Sequence, residues 1–169
     1  MGENVCDCGI FVRREQQHEK TGDMPGFKGQ EAYSIDAKGR VNIPLKMRRV
    51  IAPESNDTFV VTRGTNKCIE AFPMEDWKKY EERLQRLNHS AEKDRFFLRT
   101  ILSWCDEVVM DGQQRITIPK RHLDFAGITN RVTIVGVMDR IELWNPEEFD
   151  KYQQSFTETY EQIAATVMQ

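Results

Sequence analysis

The segment Asp36-Ala-Lys-Gly-Arg-Val-Asn-Ile-Pro44 is repeated later in the chain as Asp111-Gly-Gln-Gln-Arg-Ile-Thr-Ile-Pro119. Four of the nine positions are identical. A second match follows in the same order, residues 69–80 with residues 141–152, in which five of twelve positions are identical. Two ordered matches of this kind indicate a tandem duplication, so the fold is predicted to contain two similar units.

Each copy has the same predicted order of elements: a strand pair around a turn, a short helix, a second strand pair and a longer helix. The turn is predicted to use Gly39 in the first copy and Asp111-Gly112 in the second, because glycine and aspartate favour tight turns. After the turn, apolar and polar residues alternate in residues 40–43 and 115–118. This alternation predicts a half-buried return strand in each copy.

Four strands per copy are too few to cover both faces of a sheet. The predicted fold is therefore α+β with a mostly β core, in which the two copies share one barrel-like core and the helices pack outside. Apolar residues at helical spacing from Phe149 to Val167 predict one long C-terminal helix. The predicted divisions are residues 1–26 as a disordered N-terminal extension, 27–88 as the first copy, 89–104 as a connecting helix, and 105–169 as the second copy with the long C-terminal helix.

The composition excludes several classes of protein. The 169 residues are 39% hydrophobic and 30% charged, which is ordinary for a globular protein and too apolar for a disordered one. The net charge of −3 excludes a nonspecific polycation, although residues 142–161 alone sum to −5. No uncharged apolar stretch approaches the roughly 18 residues that span a bilayer, so a cytoplasmic protein with no membrane partner is predicted.

Motifs for catalysis and metal binding are absent from the sequence. It contains no G-x-x-x-x-G-K-[ST] phosphate loop, no G-x-S-x-G elbow and no H-E-x-x-H site. Cys6 and Cys8 form a close pair, but His18, His89 and His122 are scattered, which is not the spacing of a zinc site. We therefore predict no enzymatic activity, no metal, no cofactor and no small-molecule substrate.

The two D-x-x-x-R turns are the strongest candidates for binding chemistry. An aspartate that opens a tight turn can accept hydrogen bonds from backbone N–H groups and pair with the arginine four positions later. An arginine held in this way loses less entropy when it makes a bidentate contact to phosphate or guanine. The surroundings are basic, with +4 over residues 36–49 and +2 over residues 111–121. The same spacing is equally typical of a structural ion pair at a strand end, so both interpretations stay open.

Four segments together resemble the MraZ family of bacterial transcription regulators. They are Tyr33-Ser-Ile-Asp-Ala-Lys-Gly-Arg-Val-Asn-Ile-Pro44, its degenerate copy at residues 111–119, Thr62-Arg-Gly64 and Glu70-Ala-Phe-Pro73. The resemblance covers residues 27–161. It implies two fused swapped-hairpin modules of the AbrB type, a ring-shaped homo-oligomer, and binding to direct repeats in double-stranded promoter DNA. It further implies a cytoplasmic, nucleoid-associated regulator of the division and cell-wall gene cluster.

The resemblance also assigns candidate DNA-binding residues. The family's DNA-contacting turns fall on the following positions of this chain: Asp36, Lys38, Gly39, Arg40, Asp111 and Arg115. The second turn departs from the pattern, with Gln113 and Gln114 in place of Lys38 and Gly39, so Arg40 is the stronger candidate. Two alternatives stay open: a non-catalytic interaction scaffold ring whose basic turns bind an acidic protein, and an antitoxin-like DNA-binding module.

Overall fold

The computed structural model describes residues 26–168, so the predicted disordered extension, residues 1–26, lies outside the described residues except for Gly26. The described part contains eight strands and six α-helices, and a 3-10 turn at Pro53–Ser55 precedes the third strand. The elements are β1 (Gln30–Ser34), β2 (Arg40–Asn42), α1 (Leu45–Arg48), β3 (Thr58–Arg63), β4 (Cys68–Pro73), α2 (Met74–Gln85), α3 (Glu92–Ser103), β5 (Asp106–Val109), β6 (Arg115–Thr117), α4 (Lys120–Ala126), β7 (Arg131–Val137), β8 (Arg140–Trp144), α5 (Pro146–Gln154) and α6 (Tyr160–Val167).

The order of elements confirms the predicted α+β duplication. Strands β1 and β2, helix α1, strands β3 and β4, and helix α2 form the first copy. Strands β5 and β6, helix α4, strands β7 and β8, and helix α5 repeat that order, with α3 between the copies. Pro44 and Pro119 precede α1 and α4, as expected of a residue that has no N–H to donate and favours the start of a helix.

The two copies exchange strands. A six-stranded antiparallel sheet has the order β1-β7-β8-β4-β3-β5, so β1 of the first copy pairs with β7 of the second, and β5 of the second pairs with β3 of the first. The return strands β2 and β6 leave this sheet and pair with each other as a two-stranded ribbon. Each predicted turn therefore joins two strands whose partners both belong to the other copy. The six-stranded sheet is not closed into a barrel, and the predicted barrel-like closure is not confirmed.

One hydrophobic core serves both copies, as predicted. Val41 of β2 and Ile116 of β6 point inward, as do Ile43 and Ile118, which directly follow these strands. All four are almost fully buried. They pack with apolar residues of β3, β4, β7 and β8. The polar residues between them, such as Asn42, face outward, which is the period-2 alternation of a half-buried strand. Burial of the ribbon thus fixes which face of it solvent can reach.

Helices cover the remaining apolar surface of the large sheet. Trp77 and Leu84 of α2 and Leu98 and Ile101 of α3 form a second cluster with β3 and β4. Phe149 of α5 packs against Trp144 at the end of β8, with a ring separation of 5.4 Å. The predicted placement of helices outside a β core is therefore confirmed.

The prediction of one long C-terminal helix over residues 149–167 is wrong. Helix α5 ends at Gln154 and α6 begins at Tyr160. The side chain of Thr159 accepts a hydrogen bond from the Gln162 N–H at 3.3 Å, and the Gln162 side chain accepts one from the Thr159 N–H at 2.8 Å. This capping box starts a new helix at the point where the apolar spacing continues unbroken.

A buried ion pair lies beside the second cluster. Glu70 of β4 is 8% exposed, and its Oε1 is 3.6 Å from the Nε of Arg140 on β8. Burial raises the pKa of Glu70 to about 7, with Arg140 opposing the shift and the carboxylates of Glu142 and Asp139 adding to it. The Glu70 carboxyl group therefore titrates near neutral pH, unlike that of an exposed glutamate.

The Glu70→Gln variant is expected to lose part of the pH dependence of stability. Because the folded-state pKa lies above the unfolded value of 4.5, the folded protein holds an extra proton between these two values. The contribution of Glu70 to the free energy of unfolding is therefore largest below the unfolded pKa of 4.5. It decreases as the pH rises towards the folded-state value of about 7, by an amount on the order of 1–3 kcal/mol. Urea unfolding of both proteins near pH 5 and near pH 8 measures the effect. An identical pH dependence for the variant and the parent would contradict this assignment.

Candidate nucleic-acid interface

The first D-x-x-x-R turn is held together by the side chain of Asp36. Its Oδ1 accepts hydrogen bonds from the N–H groups of Lys38 at 2.9 Å and Arg40 at 3.0 Å. Its Oδ2 accepts one from the Nε of Arg40 at 2.6 Å. The predicted pairing of this aspartate with the arginine four positions later is therefore present, and it fixes both the turn and the guanidinium.

The second turn repeats this arrangement. The Oδ1 of Asp111 accepts hydrogen bonds from the N–H groups of Gln113 at 2.8 Å and Arg115 at 3.0 Å. Its Oδ2 accepts from the Nε of Arg115 at 3.0 Å and from the Nη2 at 2.8 Å. The local bonding therefore survives even where the sequence of the second copy departs from the first.

Of the predicted pair Asp111-Gly112, Asp111 supplies hydrogen bonds that hold the turn, but the prediction that Gly112 contributes its backbone freedom is wrong. The residue with positive φ is Gln114 (φ 64°), which occupies the position of Gly39 (φ 76°) in the first copy. A left-handed conformation costs a residue with a side chain about 1–2 kcal/mol. The second turn thus has a similar left-handed residue at the same position, but glutamine favours that conformation less than glycine does.

Each turn is anchored to the other copy by one backbone hydrogen bond. The Ile118 N–H donates to the Gly39 carbonyl at 2.8 Å, and the Ile43 N–H donates to the Gln114 carbonyl at 3.1 Å. In the ribbon, Asn42 pairs with Arg115, so the two arginine positions are offset by two residues, or about 7 Å along the strands. The strand exchange therefore brings together the two predicted turns, which are far apart in the sequence.

The aspartates of both turns are ionised at neutral pH. Backbone hydrogen bonding from Arg40 is the main cause that lowers the pKa of Asp36, and the side-chain hydrogen bond from Arg115 is the main cause for Asp111. The stability that these carboxylates contribute is present above the ordinary aspartate pKa and is lost as the pH falls through the lowered value. A carboxyl group with a lowered pKa is poorly suited to general acid catalysis near pH 7.

The two arginines differ in how many donors they leave free. Arg40 uses only its Nε on Asp36, so both of its terminal nitrogens lack a hydrogen bond from the described part of the chain. Arg115 uses both Nε and Nη2, and its side chain is less exposed, 23% against 32%. Arg40 therefore has a complete terminal fork for a bidentate contact, whereas Arg115 has only part of one.

The basic residues around the two turns also differ. Lys38, Lys46 and Arg49 are exposed, and within residues 26–168 none of them forms an ion pair. In the second patch Lys120 pairs with Asp124 at 2.8 Å, and Arg121 pairs with Asp106. Because Asp111 already cancels Arg115, these two acidic partners neutralise the whole net charge of +2 of residues 111–121. Within the described residues, free charge is therefore carried by Lys38 on the first turn and by Lys46 and Arg49 of the α1 segment, which follows Ile43 and its bond to the Gln114 carbonyl of the second turn.

Lys120, which stays paired with Asp124, lies beside the first turn and not in the second patch, to which its place in the sequence assigned it. It lines a cleft of about 350 Å³ together with Lys38 and Gly39 of the first copy. Sequence reasoning missed this placement because it assigned Lys120 to the turn nearest in the chain. The position of Lys120 follows from the exchange of strands, which places α4 beside the first turn.

Other ligand classes find little support in the described part of the chain. Residues 26–168 hold no cluster of three or more histidine, cysteine, aspartate or glutamate side chains that could bind a metal ion. Among the helices of that same part, none is both long enough and apolar enough to cross a bilayer.

Substitutions at Gly39 and Gln114, the positive-φ positions of the two turns, are expected to change the free energy of unfolding in opposite directions. Gly39→Ala introduces a Cβ 2.7 Å from the Ile118 carbonyl oxygen and forces alanine into a left-handed conformation, so it should lower the free energy of unfolding by about 1–3 kcal/mol. Gln114→Gly relieves the same strain and should raise it by about 0.5–1 kcal/mol. Urea unfolding at neutral pH provides the measurement.

Gly112→Ala is the matched control for these variants. A Cβ at Gly112 meets no atom within 4 Å, so the change should lie within about 0.5 kcal/mol of the parent. If Gln114→Gly were as destabilising as Gly39→Ala, the two turns would not share one backbone path.

The sequence of this chain is similar to a protein family and to two regulators of that family. The family model described as "MraZ protein, putative antitoxin-like" matches residues 27–100 and again residues 101–169. The Transcriptional regulator MraZ of Natranaerobius thermophilus is 38% identical over 142 residues, which cover 84% of this chain and 96% of that protein. The Transcriptional regulator MraZ of Halothermothrix orenii is 38% identical over 141 residues, which cover 83% and 96% respectively.

Proposed function

This chain belongs to the MraZ family, and from that membership we propose that it is a DNA-binding transcription regulator without catalytic activity. The observation that carries the proposal is the pair of aspartate-held arginine turns at the β2–β6 ribbon. A turn fixed by three hydrogen bonds presents its guanidinium in one orientation, which reduces the entropy lost on binding.

Arg40 is the proposed base-reading or phosphate-binding residue of the first turn. Its two free terminal nitrogens match the paired acceptors of guanine in the major groove or of a phosphate group. Lys38 would add a phosphate contact beside it, and Lys46 and Arg49 of the α1 segment would add phosphate contacts near the second turn. Such contacts position the protein without reading sequence. Asp36 and Gly39 shape the turn, and Asp111 and Arg115 form a second, weaker contact.

We further propose that the protein binds direct repeats in double-stranded promoter DNA of the division and cell-wall gene cluster as a ring-shaped homo-oligomer. One free basic turn per chain makes a weak site, and several turns on one ring engage successive repeats with a much higher effective concentration. The acidic segment, residues 142–161, would face away from the duplex, and this charge asymmetry orients the approach to DNA. Cytoplasmic, nucleoid-associated localisation follows from this function.

The Arg40→Ala variant is expected to bind promoter DNA about 10–100 fold more weakly, because a bidentate arginine contact contributes about 1–3 kcal/mol. Fluorescence anisotropy with a labelled promoter fragment, titrated at several salt concentrations, measures the loss. Arg115→Ala should cost less, since Arg115 has fewer free donors.

Arg83→Ala is the matched control, because Arg83 is an exposed arginine of α2 that is paired with Asp139. Its affinity for DNA should equal that of the parent, and the assembly state of all three variants should be unchanged. Equal affinities of the parent and Arg40→Ala at every salt concentration would disprove the assigned role of Arg40.

The bound sequence can be identified by selecting fragments of the source genome on the purified protein. Enrichment of the division-cluster promoter would support the proposed target, and enrichment of a different promoter would keep DNA binding but reject that target. Recovery of no DNA by an intact oligomer would favour the scaffold alternative, in which the basic turns bind an acidic protein.

A further inference from the structure

A cavity of about 340 Å³ lies where the two copies meet the helix that connects them, and we call it the α3 cavity. Its walls come from α3, from α2 and β4 of the first copy with the turn between β3 and β4, and from the start of β8 in the second copy. A cavity of this size at the junction of two structural units is typical of a small-molecule site. Residues 36–40 and 111–115 do not line it, so its chemistry is independent of the two D-x-x-x-R turns.

One wall of the α3 cavity is aromatic. Phe96 and Phe97 of α3 and Tyr80 of α2 line it. Phe96 is 72% exposed, so the cavity borders solvent on this side. Aromatic rings bury apolar groups well, and their faces also attract cations. This wall therefore suits the apolar body of an organic ligand, including one that carries a positive charge.

Glu70 supplies a buried acceptor to the same cavity. Within residues 26–168 its carboxylate accepts no hydrogen bond, and its contact with the Nε of Arg140 is long, at 3.6 Å. Gly64 of the β3–β4 turn also lines the cavity, and a Cβ there would lie 3.4 Å from the Oε1 of Glu70. The glycine therefore leaves space beside the carboxylate. A buried carboxylate without hydrogen bonds is costly, so a donor that enters this space is strongly favoured.

The charges around Glu70 favour a cation over an anion. Arg140 is shared between acidic groups, because its Nη1 donates to Asp139 at 2.9 Å and its Nε lies 3.8 Å from Glu142. Asp139 also pairs with Arg83 at 2.9 Å. The three carboxylates and two arginines of this group carry a net charge of −1 when all are ionised. One added positive charge balances the group, whereas an anion is repelled by it.

Arg63 lines the α3 cavity as well, but its charge is directed elsewhere. Its guanidinium carbon lies 4.4 Å from the ring centroid of Phe125 and 5.5 Å from that of Trp104. Neither of these rings belongs to the cavity wall. The guanidinium of Arg63 therefore stacks on aromatic groups outside the cavity and does not compete for Glu70.

We propose that the α3 cavity binds a small organic ammonium ion, that is, a protonated primary amine with an aromatic or aliphatic body. The ammonium group donates a hydrogen bond to the Glu70 carboxylate in the space beside Gly64. The body packs on Tyr80 and Phe97. Because the walls belong to both copies and to α3, the bound amine stabilises the folded chain without touching either turn.

Calorimetric titration of the full chain with 2-phenylethylamine at pH 8 tests this site. The Glu70 carboxyl group is mostly ionised at that pH, and the amine stays protonated as a lysine side chain does. One molecule should bind per chain. The uncharged analogue 2-phenylethanol should bind about tenfold or more weakly, because it lacks the charge that pairs with Glu70, and 3-phenylpropionate should show no binding.

The Glu70→Gln variant isolates the carboxylate. It keeps the size of the side chain and removes its charge, so the affinity for 2-phenylethylamine at pH 8 should fall by about tenfold or more. Glu107→Gln is the matched control, because Glu107 is an exposed glutamate of β5 that does not line the cavity. It should bind the amine as the parent does, and so should Arg40→Ala.

The parent protein provides a second test that requires no substitution. Lowering the pH from 8 to 5 protonates Glu70, so the affinity for the amine should fall by about tenfold or more. The charged and titratable groups that face Glu70 are Arg140, Glu142, Asp139 and Tyr80. Residues of these four types ordinarily titrate outside that range, so the change in affinity reports on Glu70.

Four results would overturn the proposal. These are no binding of 2-phenylethylamine by the parent, an unchanged affinity in a folded Glu70→Gln variant, equal affinities at pH 5 and pH 8, and equal binding of 2-phenylethanol. The last result would mean that the cavity recognises the apolar body alone. If Glu70→Gln does not fold, the pH dependence of the parent decides between the ammonium site and its absence.

Discussion

Strand exchange between the two copies is the constraint on which the rest of the structure depends. Neither copy can complete its own sheet, because β1 hydrogen-bonds to β7 and β5 hydrogen-bonds to β3. Within residues 26–168, the ribbon strands β2 and β6 pair only with each other, and they bury Val41 and Ile116 in the common core. The fold is thus a single cooperative unit made from a duplicated sequence, and both turns are carried at the ribbon that joins its halves.

The exchange also bears on how a chain of net charge −3 could present the proposed DNA-binding surface. It fixes the backbone of the first turn through the bond from the Ile118 N–H to the Gly39 carbonyl, and it brings Lys120 of α4 to the cleft that Lys38 also lines. Asp36 holds the turn and Arg40, and within the described residues Lys38 forms no ion pair, whereas Lys120 is paired with Asp124. In the second copy Asp106 and Asp124 neutralise the corresponding cations. The two copies of the motif therefore differ in the charge around them, although their turns share the same backbone conformation and aspartate hydrogen bonds.

Much of this could be predicted from the sequence because it depends on local pattern. The duplication is visible as repeated residues, and the pairing of Asp36 with Arg40 follows from their spacing. Alternation identifies strands but not their partners, so the exchange was implied by family resemblance and not by periodicity. The break before Tyr160 was missed because apolar spacing continues through it, and only the side-chain bonds of Thr159 with Gln162 interrupt the helix. The role of Gln114 was missed because glycine is the usual residue at positive φ.

Amide hydrogen exchange of Ile43 and Ile118, followed by NMR at neutral pH, tests the central claim most directly. These two N–H groups form the bonds that tie each turn to the other copy. If strand exchange makes one cooperative unit, both amides should exchange only through global unfolding, with the same opening free energy as core amides of β3 and β4. Exchange of either amide at a much lower free energy than the core, or clearly different values for the two, would contradict the account.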